Sequence, residues 1–470
     1  MIHINFLQSI LNKNEHINST DEVIRWIKHR NENVKVNVKK TTFNNLQGWK
    51  VDEQSGNIHH ESGKFFTIEG VQIEVNDDVT VKKWSQPIIN QPEIGYLGFL
   101  VKKFNGVLHF LIQAKIEPGN VNNVQLSPTI QATRSNYKRV HKGDSPAYLE
   151  YFKERNGKVL IDQLQSEQGA RFFRKRNRNI IIEVEEDIEV MEDFMWVTLG
   201  QIKELLKIDN LVNMDTRTVI SGISYGEFQK GVMDTIEVFT KNLKADYDKE
   251  IYCSYVLSNV GLHSTAEVHS WLTELKSNYE LNVKLIPLNQ VQDWIVENDR
   301  IYHKDHKYFE VLAVNVEIGN REVAKWSQPI IKPCCEGLVG FISKKINGVL
   351  HFLVQAKLEV GNLDIVELAP TVQCITGDYR KGKNEYEVPF LEYLLSIDKS
   401  IIKYDVMLSE EGGRFYKNQN RNIIVEVSED FDMDVPKNYK WLTLNQLMKF
   451  MEYNNNVNIE ARSLLSVLTF

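Results

Sequence analysis

The chain has only four cysteines, Cys253, Cys334, Cys335 and Cys374, all in its second half and none in CxxC spacing. That excludes a disulfide framework and a cysteine zinc site, and reads as reduced, cytosolic thiols. No stretch of about 18 apolar residues occurs, so no transmembrane helix is expected. The N-terminal MIHINFLQSILNKNEH is too polar and too poor in small residues to read as a secretion signal. A basic excess is also missing: 56 Lys+Arg against 63 Asp+Glu give a net charge of −7. With no RRM or KH signature, nucleic acid is not an expected partner. Neither GxGxxG nor a Walker A motif precedes a helix, which excludes a Rossmann dinucleotide site and a P-loop. GxSxG and HExxH are absent, and no close His/Cys/Asp/Glu set reads as a metal site.

What the chain does have is repetition. KWSQPII occurs at 83–89 and again at 325–331. NGVLHFL, QAK and PTIQ/PTVQ return at the same offset of 242 residues. SEQGARFF at 166–173 answers SEEGGRFY at 409–416, and NRNIIIE answers NRNIIVE. Near the ends the offset drifts to 245, as Trp26 and Trp271, Trp49 and Trp294, and Arg217 and Arg462 show. The 470 residues therefore read as a tandem duplication: copy one at 1–224, a connector at 225–245, copy two at 246–470. Each copy is long enough for its own core. The shared sequence predicts a shared fold, with the copies packed about a pseudo-two-fold axis.

Each copy opens its periodic part with a capping box, Ser19–Glu22 and Ser264–Glu267. These predict helices ending near Arg30 and Lys276. Strands follow at 34–38 and 281–285, then alternating segments at 65–75, 96–104 and 107–117. Asn105-Gly106 and Asn347-Gly348 predict type I′ hairpin turns. Helices are expected at 196–207, 215–223, 441–452 and 460–468. The fold class is α+β, a mixed or antiparallel sheet with flanking helices.

The second hairpin strand carries the chemistry. With period two, Leu108, Phe110, Ile112, Ala114 and Ile116 form one apolar face. The other face presents His109, Gln113, Lys115 and Glu117, matched in copy two by His351, Gln355, Lys357 and Glu359. Downstream come a turn (EPGN, with Asn120; EVGN in copy two) and the basic segments 126–143 and 171–179. Paired basic clusters in an acidic chain suit a diphosphate.

These motifs resemble the nucleoside-diphosphate-hexose 2,3-dehydratases. The resemblance rests on WSQPI, GVLHFLIQAK followed by EPGN, LSPTIQAT, SEQG, RKRNRN, ELAPTVQ and SEEGGRFY, and spans nearly the whole chain. It implies two tandem Nudix-like domains per subunit, a homodimer, a TDP-4-keto-6-deoxy-D-glucose substrate and a place in 2-deoxysugar biosynthesis. The Nudix hydrolase box is absent from both copies, which fits a scaffold without that hydrolase chemistry. The expected reaction removes the C2 hydroxyl and gives a 3,4-diketo sugar that a 3-ketoreductase would take next. It calls for no redox cofactor, no metal and no membrane, and for a cytoplasmic setting.

Such a dehydration needs a base for the proton on C3, a cation for the C4 oxyanion and an acid for the departing hydroxyl. His109 and Glu117 are candidates for base or acid, Lys115 for the oxyanion, and Tyr137 for a second acid. Trp84, Ser85 and Gln86 are candidates for the thymine or sugar, and Arg134, Arg171 and Arg178 for the diphosphate. Gln113, Asn120 and Gln131 complete the expected binding set in copy one. Trp326, Ser327, Gln328, His351, Gln355, Lys357, Glu359, Tyr379 and Arg414 are the counterparts in copy two. Arg134 aligns with Thr376 and His141 with Lys383, so copy one is the richer anion site and the favoured catalytic copy. The rivals are a Nudix-type nucleotide-sugar hydrolase and a non-catalytic nucleotide-sugar binding protein.

Overall fold

The computed structural model describes residues 2–13, 17–76, 81–138, 145–229, 246–319, 323–379 and 387–470. His141, Lys383 and most of the expected connector lie outside these residues.

Local sequence signals and structure agree where the chemistry is short-range. Asn105 and Gly106 both take positive φ, 48° and 84°, and Asn347 and Gly348 take 51° and 83°. The turn joins Gly95–Phe104 to Val107–Ile116 in an antiparallel hairpin. Ser19 and Ser264 form reciprocal capping boxes with Glu22 and Glu267, opening helices Thr20–Glu32 and Thr265–Asn278. A further helix, Ile2–Leu11, precedes them and was not foreseen. The expected helices at 196 and 441 begin later. Phe194–Thr198 and Tyr439–Leu442 are strands, and the helices Leu199–Leu205 and Leu444–Glu452 start only after Thr198 and Thr443, which cap them.

Around each hairpin a mixed sheet is built. In copy one the order is Lys158–Ser166, Arg176–Glu183, Gly95–Phe104, Val107–Ile116, Phe194–Thr198. Val124–Ser127 adds to the fourth strand and Ile130–Ala132 to the third. Arg176–Glu183 runs parallel to Gly95–Phe104, and the other pairs are antiparallel. Copy two repeats the arrangement strand for strand.

The smaller sheets break the boundary between copies. Thr67–Asn76 pairs with the KWSQPII strand Val81–Asn90 of its own copy and, on its other edge, with Glu280–Ile286 of copy two. Reciprocally, Phe309–Ile318 pairs with Lys325–Pro333 and with Val36–Thr41 of copy one. Each copy thus lends its first strand to the other's sheet. The apolar face of Val107–Ile116 also packs into a core shared between copies, where Phe110 and Ile112 join Phe341, Phe352 and Val354.

Two buried arginines tie the halves together. Arg217 donates to the Ser409 carbonyl, and Arg462 donates to the Ser166 carbonyl and to Thr218 Oγ1. Both are about 1% exposed. Each carbonyl belongs to the opposite copy's SE(Q/E)G segment, so the arginines fix the segments that floor the cavities described next.

One buried cation has no such partner set. Lys203, 2% exposed, donates to the Ser466 carbonyl, and burial pushes its ammonium down to about 7. The folded protein therefore holds this proton less well than the unfolded chain, whose lysine titrates near 10.5. On this account stability rises as pH climbs from about 7 towards 10.5. Copy two has Met448 at this place. Lys203→Met is expected to stabilise the protein by roughly 1 kcal/mol at neutral pH, read as a higher Tm with a flatter pH dependence above 7.

Candidate active site

The strand Val107–Ile116 aims its polar residues at different places along its length. His109 sits at the hairpin end, fully buried, with Nδ1 2.9 Å from the Val107 carbonyl and its ring edge-on to Phe104. His351 is likewise buried, its Nε2 accepting from the Leu262 N–H at 2.9 Å. Neither histidine lines either of the two cavities. His109, expected as base or acid, thus lies away from both cavities, and the polar face meets a cavity only at its C-terminal end.

At that end lies a cavity of about 230 Å³. Lys115 Nζ donates to the Gln131 carbonyl at 3.1 Å, and Gln131 Nε2 donates to Glu117 Oε1 at 2.9 Å. Glu117 is 6% exposed, and its Oε2 has no hydrogen-bond partner among the described residues. Asp215 enters from helix Met214–Ser221. Burial pushes its carboxyl well above the usual range, Glu411, Glu167 and Glu117 push it further, and Lys115 opposes them.

The opposite wall comes from copy two. Trp326, Ser327 and Gln328 line it, held by a bond from Trp49 Nε1 to the Ser327 carbonyl (2.7 Å) and from Gln328 Nε2 to the Gly413 carbonyl (2.7 Å). Arg414 lies over the Phe66 ring, 4.3 Å from its centroid. Glu411 lines the same wall; burial raises its carboxyl to about 8, with Arg414 pulling the other way and Glu117 adding to the rise.

A second, larger cavity of about 1080 Å³ is its counterpart on the copy-two strand. Here Lys357 donates to the Gln373 carbonyl (2.7 Å) and Gln373 Nε2 to Glu359 Oε1 (3.0 Å). Trp84, Ser85, Gln86 and Arg171 come across from copy one, and Tyr379 and Glu460 from copy two. Both cavities are composite, each taking its Lys/Glu strand from one copy and its Trp-Ser-Gln strand from the other. The EPGN and EVGN turns lock this arrangement. Gly119 N–H donates to the Gly412 carbonyl (2.8 Å) and Gly361 N–H to the Gly169 carbonyl (2.7 Å). A Cβ on Gly119 would stand 1.7 Å from the Phe415 carbonyl oxygen.

Several expected residues do not converge. Arg134 is exposed and outside both cavities. Arg178 is held by Asp162 at 2.5–2.6 Å, and Arg171 belongs to the second cavity, so the three arginines do not form one diphosphate site. Tyr137 packs on Tyr96 at 5.7 Å, whereas its neighbours Thr133 and Asn136 line the first cavity. Gln113 and Gln355 lie outside both cavities; Gln355 donates to the Pro370 carbonyl. Asn120 ties its own turn, donating to the Asn123 carbonyl at 2.8 Å. Sequence reading missed Asp215 and the aromatic rim of Trp49, Phe65 and Phe66. It paired Glu411 with Gln168, but the pairing alone did not show which cavity each would face.

This duplicated pair of composite cavities goes with a family of enzymes acting on nucleotide sugars. Residues 20–223 and again 265–468 match the NDP-hexose 2,3-dehydratase family, and the chain belongs to it. It is 44% identical over 466 residues to a Saccharopolyspora spinosa protein described as dTDP-4-dehydro-6-deoxy-alpha-D-glucopyranose 2,3-dehydratase, covering 98% of this chain and 94% of that one. Proteins of the same description from Amycolatopsis orientalis and Streptomyces violaceoruber are 40% and 41% identical. They cover 96% and 94% of this chain, and 90% and 95% of their own lengths. A solved structure titled as an ADP compounds hydrolase is 17% identical over 34% of this chain and 83% of its own, with a TM-score of 0.23. No helix among the described residues is long and apolar enough to cross a membrane.

Proposed function

We propose that the chain is a hydro-lyase that removes the C2 hydroxyl of dTDP-4-dehydro-6-deoxy-D-glucose in deoxysugar biosynthesis. The observation that carries this reading is the first cavity, where Lys115, Glu117 and Gln131 of copy one face Trp326, Gln328 and Arg414 of copy two. At about 230 Å³ it takes the hexose, and the nucleotide runs out over the aromatic rim. The 4-keto group acidifies the proton on C3. Glu117, whose Oε2 has no hydrogen-bond partner among the described residues, removes it. Lys115 is placed by Gln131 to meet the C4 oxyanion. Arg414 meets the diphosphate, its guanidinium already fixed against Phe66. Loss of the C2 hydroxyl leaves an enol that tautomerises to the 3,4-diketo-2,6-dideoxy sugar.

The same reading makes the two repeats, 1–224 and 246–470, Nudix-like units; the mixed sheet with one parallel pair in each copy supports it. It also carries a homodimer, a cytoplasmic setting and hand-off of the unstable diketone to a 3-ketoreductase. The test incubates the protein with the 4-keto sugar nucleotide, a 3-ketoreductase and NADPH. A product lacking the oxygen at C2, seen by mass spectrometry and NMR, is expected. Release of a nucleoside monophosphate would mean a hydrolase, and unchanged sugar a binding protein.

A further inference from the structure

The two cavities share their Lys/Glu strand and Trp-Ser-Gln wall and differ, among other places, at two neighbouring positions. Glu411 of the first cavity is Gln168 in the second, and Gly413 is Ala170. The differences act together. A methyl on Gly413 would stand 2.5 Å from Glu411 Oε1 and 3.1 Å from Glu117 Oε1. The two carboxyls therefore face each other across the width of one methyl group, and the glycine leaves that space open. In the second cavity the methyl of Ala170 is present and the facing group is an amide, which hydrogen-bonds but transfers no proton. There Gln168 Nε2 is engaged by Glu410 Oε2 at 2.8 Å.

From this we infer that Glu411, supplied by copy two, is the general acid of the first cavity, protonating the leaving C2 hydroxyl after Glu117 of copy one has taken the C3 proton. The inference rests on the dehydratase reading. In the step, the C3–H bond breaks and its electron pair forms the C2=C3 double bond by way of the enolate. The C2–O bond breaks, and its pair stays with the hydroxyl, which takes the Glu411 proton and leaves as water. One turnover ends with the proton on Glu117 and the charge on Glu411, and exchange with solvent restores both. Glu411 is suited to start protonated: buried beside Glu117 and Glu167, with Asp215 also in the cavity, it titrates near 8 despite Arg414 and Lys175. A carboxyl held protonated beside a second carboxyl can serve as the acid of a pair.

The experiment compares Glu411→Gln with the unmodified protein on two substrates. With the natural 2-hydroxy sugar, the variant is expected to lose water elimination by about 100-fold or more. It is also expected to keep exchanging the C3 hydrogen for deuterium in D2O. With the 2-deoxy-2-fluoro analogue, fluoride leaves without a proton, and the variant is expected to release it within a few-fold of the unmodified rate. The amide already occurs at the mirrored position, and unchanged near-UV CD shows that the fold holds. Undiminished water loss, or fluoride release lost together with water loss, would overturn the assignment. If the unmodified protein neither exchanges the C3 hydrogen nor eliminates, the dehydratase reading itself fails.

Discussion

Glu117→Gln is expected to lower turnover by about 10³–10⁴-fold, and Glu359→Gln at the corresponding position by less than about tenfold. The first figure is the size expected when a general base is replaced by an isosteric amide. The second follows because the Glu359 cavity has Gln168 at the position of Glu411, and its other carboxyls come from Glu410, which Gln168 engages, and Glu460. The two variants differ by one atom each from the native side chain, so bulk effects on folding are small. Initial rates with the 4-keto sugar nucleotide, coupled to a 3-ketoreductase, provide the measurement. Equal losses at both positions would show two working cavities. The binding of dTDP, measured on the same variants, separates loss of chemistry from loss of affinity.

Residues 1–224 produced alone are expected not to fold, and the same is expected of 246–470; produced together, they are expected to assemble and copurify. Copy one alone lacks Glu280–Ile286, which covers one edge of Thr67–Asn76, and copy two lacks Val36–Thr41. Exposed sheet edges of that length invite aggregation. Each half would also bare its side of the shared core and leave a buried arginine, Arg217 or Arg462, without its carbonyl partner. A lost hydrogen bond to a buried charged group costs about 1.5–3 kcal/mol, a sizeable part of a domain's whole stability. Separate and joint expression followed by CD and size-exclusion chromatography gives the answer. Two independently folded halves would mean that the exchanged strands contribute little.

Much of this was legible in the residues. The capping boxes and Asn-Gly turns are set within four or five residues of chain, and they appear where expected. So does the inward face of Val107–Ile116, because alternation along a strand is a local rule. The same rule misled at His109: it says which side of the sheet a residue faces, not what covers that side. Phe104 covers His109, while the cavity opens only at Lys115 and Glu117. Helix starts at 196 and 441 were read too early, because apolar residues in a buried strand end look like the first turn of a helix until the capping threonine is weighed. The exchange of strands left no trace in spacing, since a strand of a given composition fits either copy's edge equally well. For the same reason Arg171 and Arg414 were placed in their own copy's site. Each of them faces the cavity built on the other copy's Lys/Glu strand.

The reciprocal loan of strands has a consequence for how the two cavities came to differ. Two identical single-repeat chains joined in this way would enclose two identical cavities, and any change would appear in both. Once the repeats lie on one chain, symmetry no longer binds them. A glutamate can stand at 411 while a glutamine stands at 168, and a glycine at 413 while an alanine stands at 170. Linking the copies thus permits specialisation of one cavity. The price is that neither half of the gene can change its share of that cavity without answering to the other.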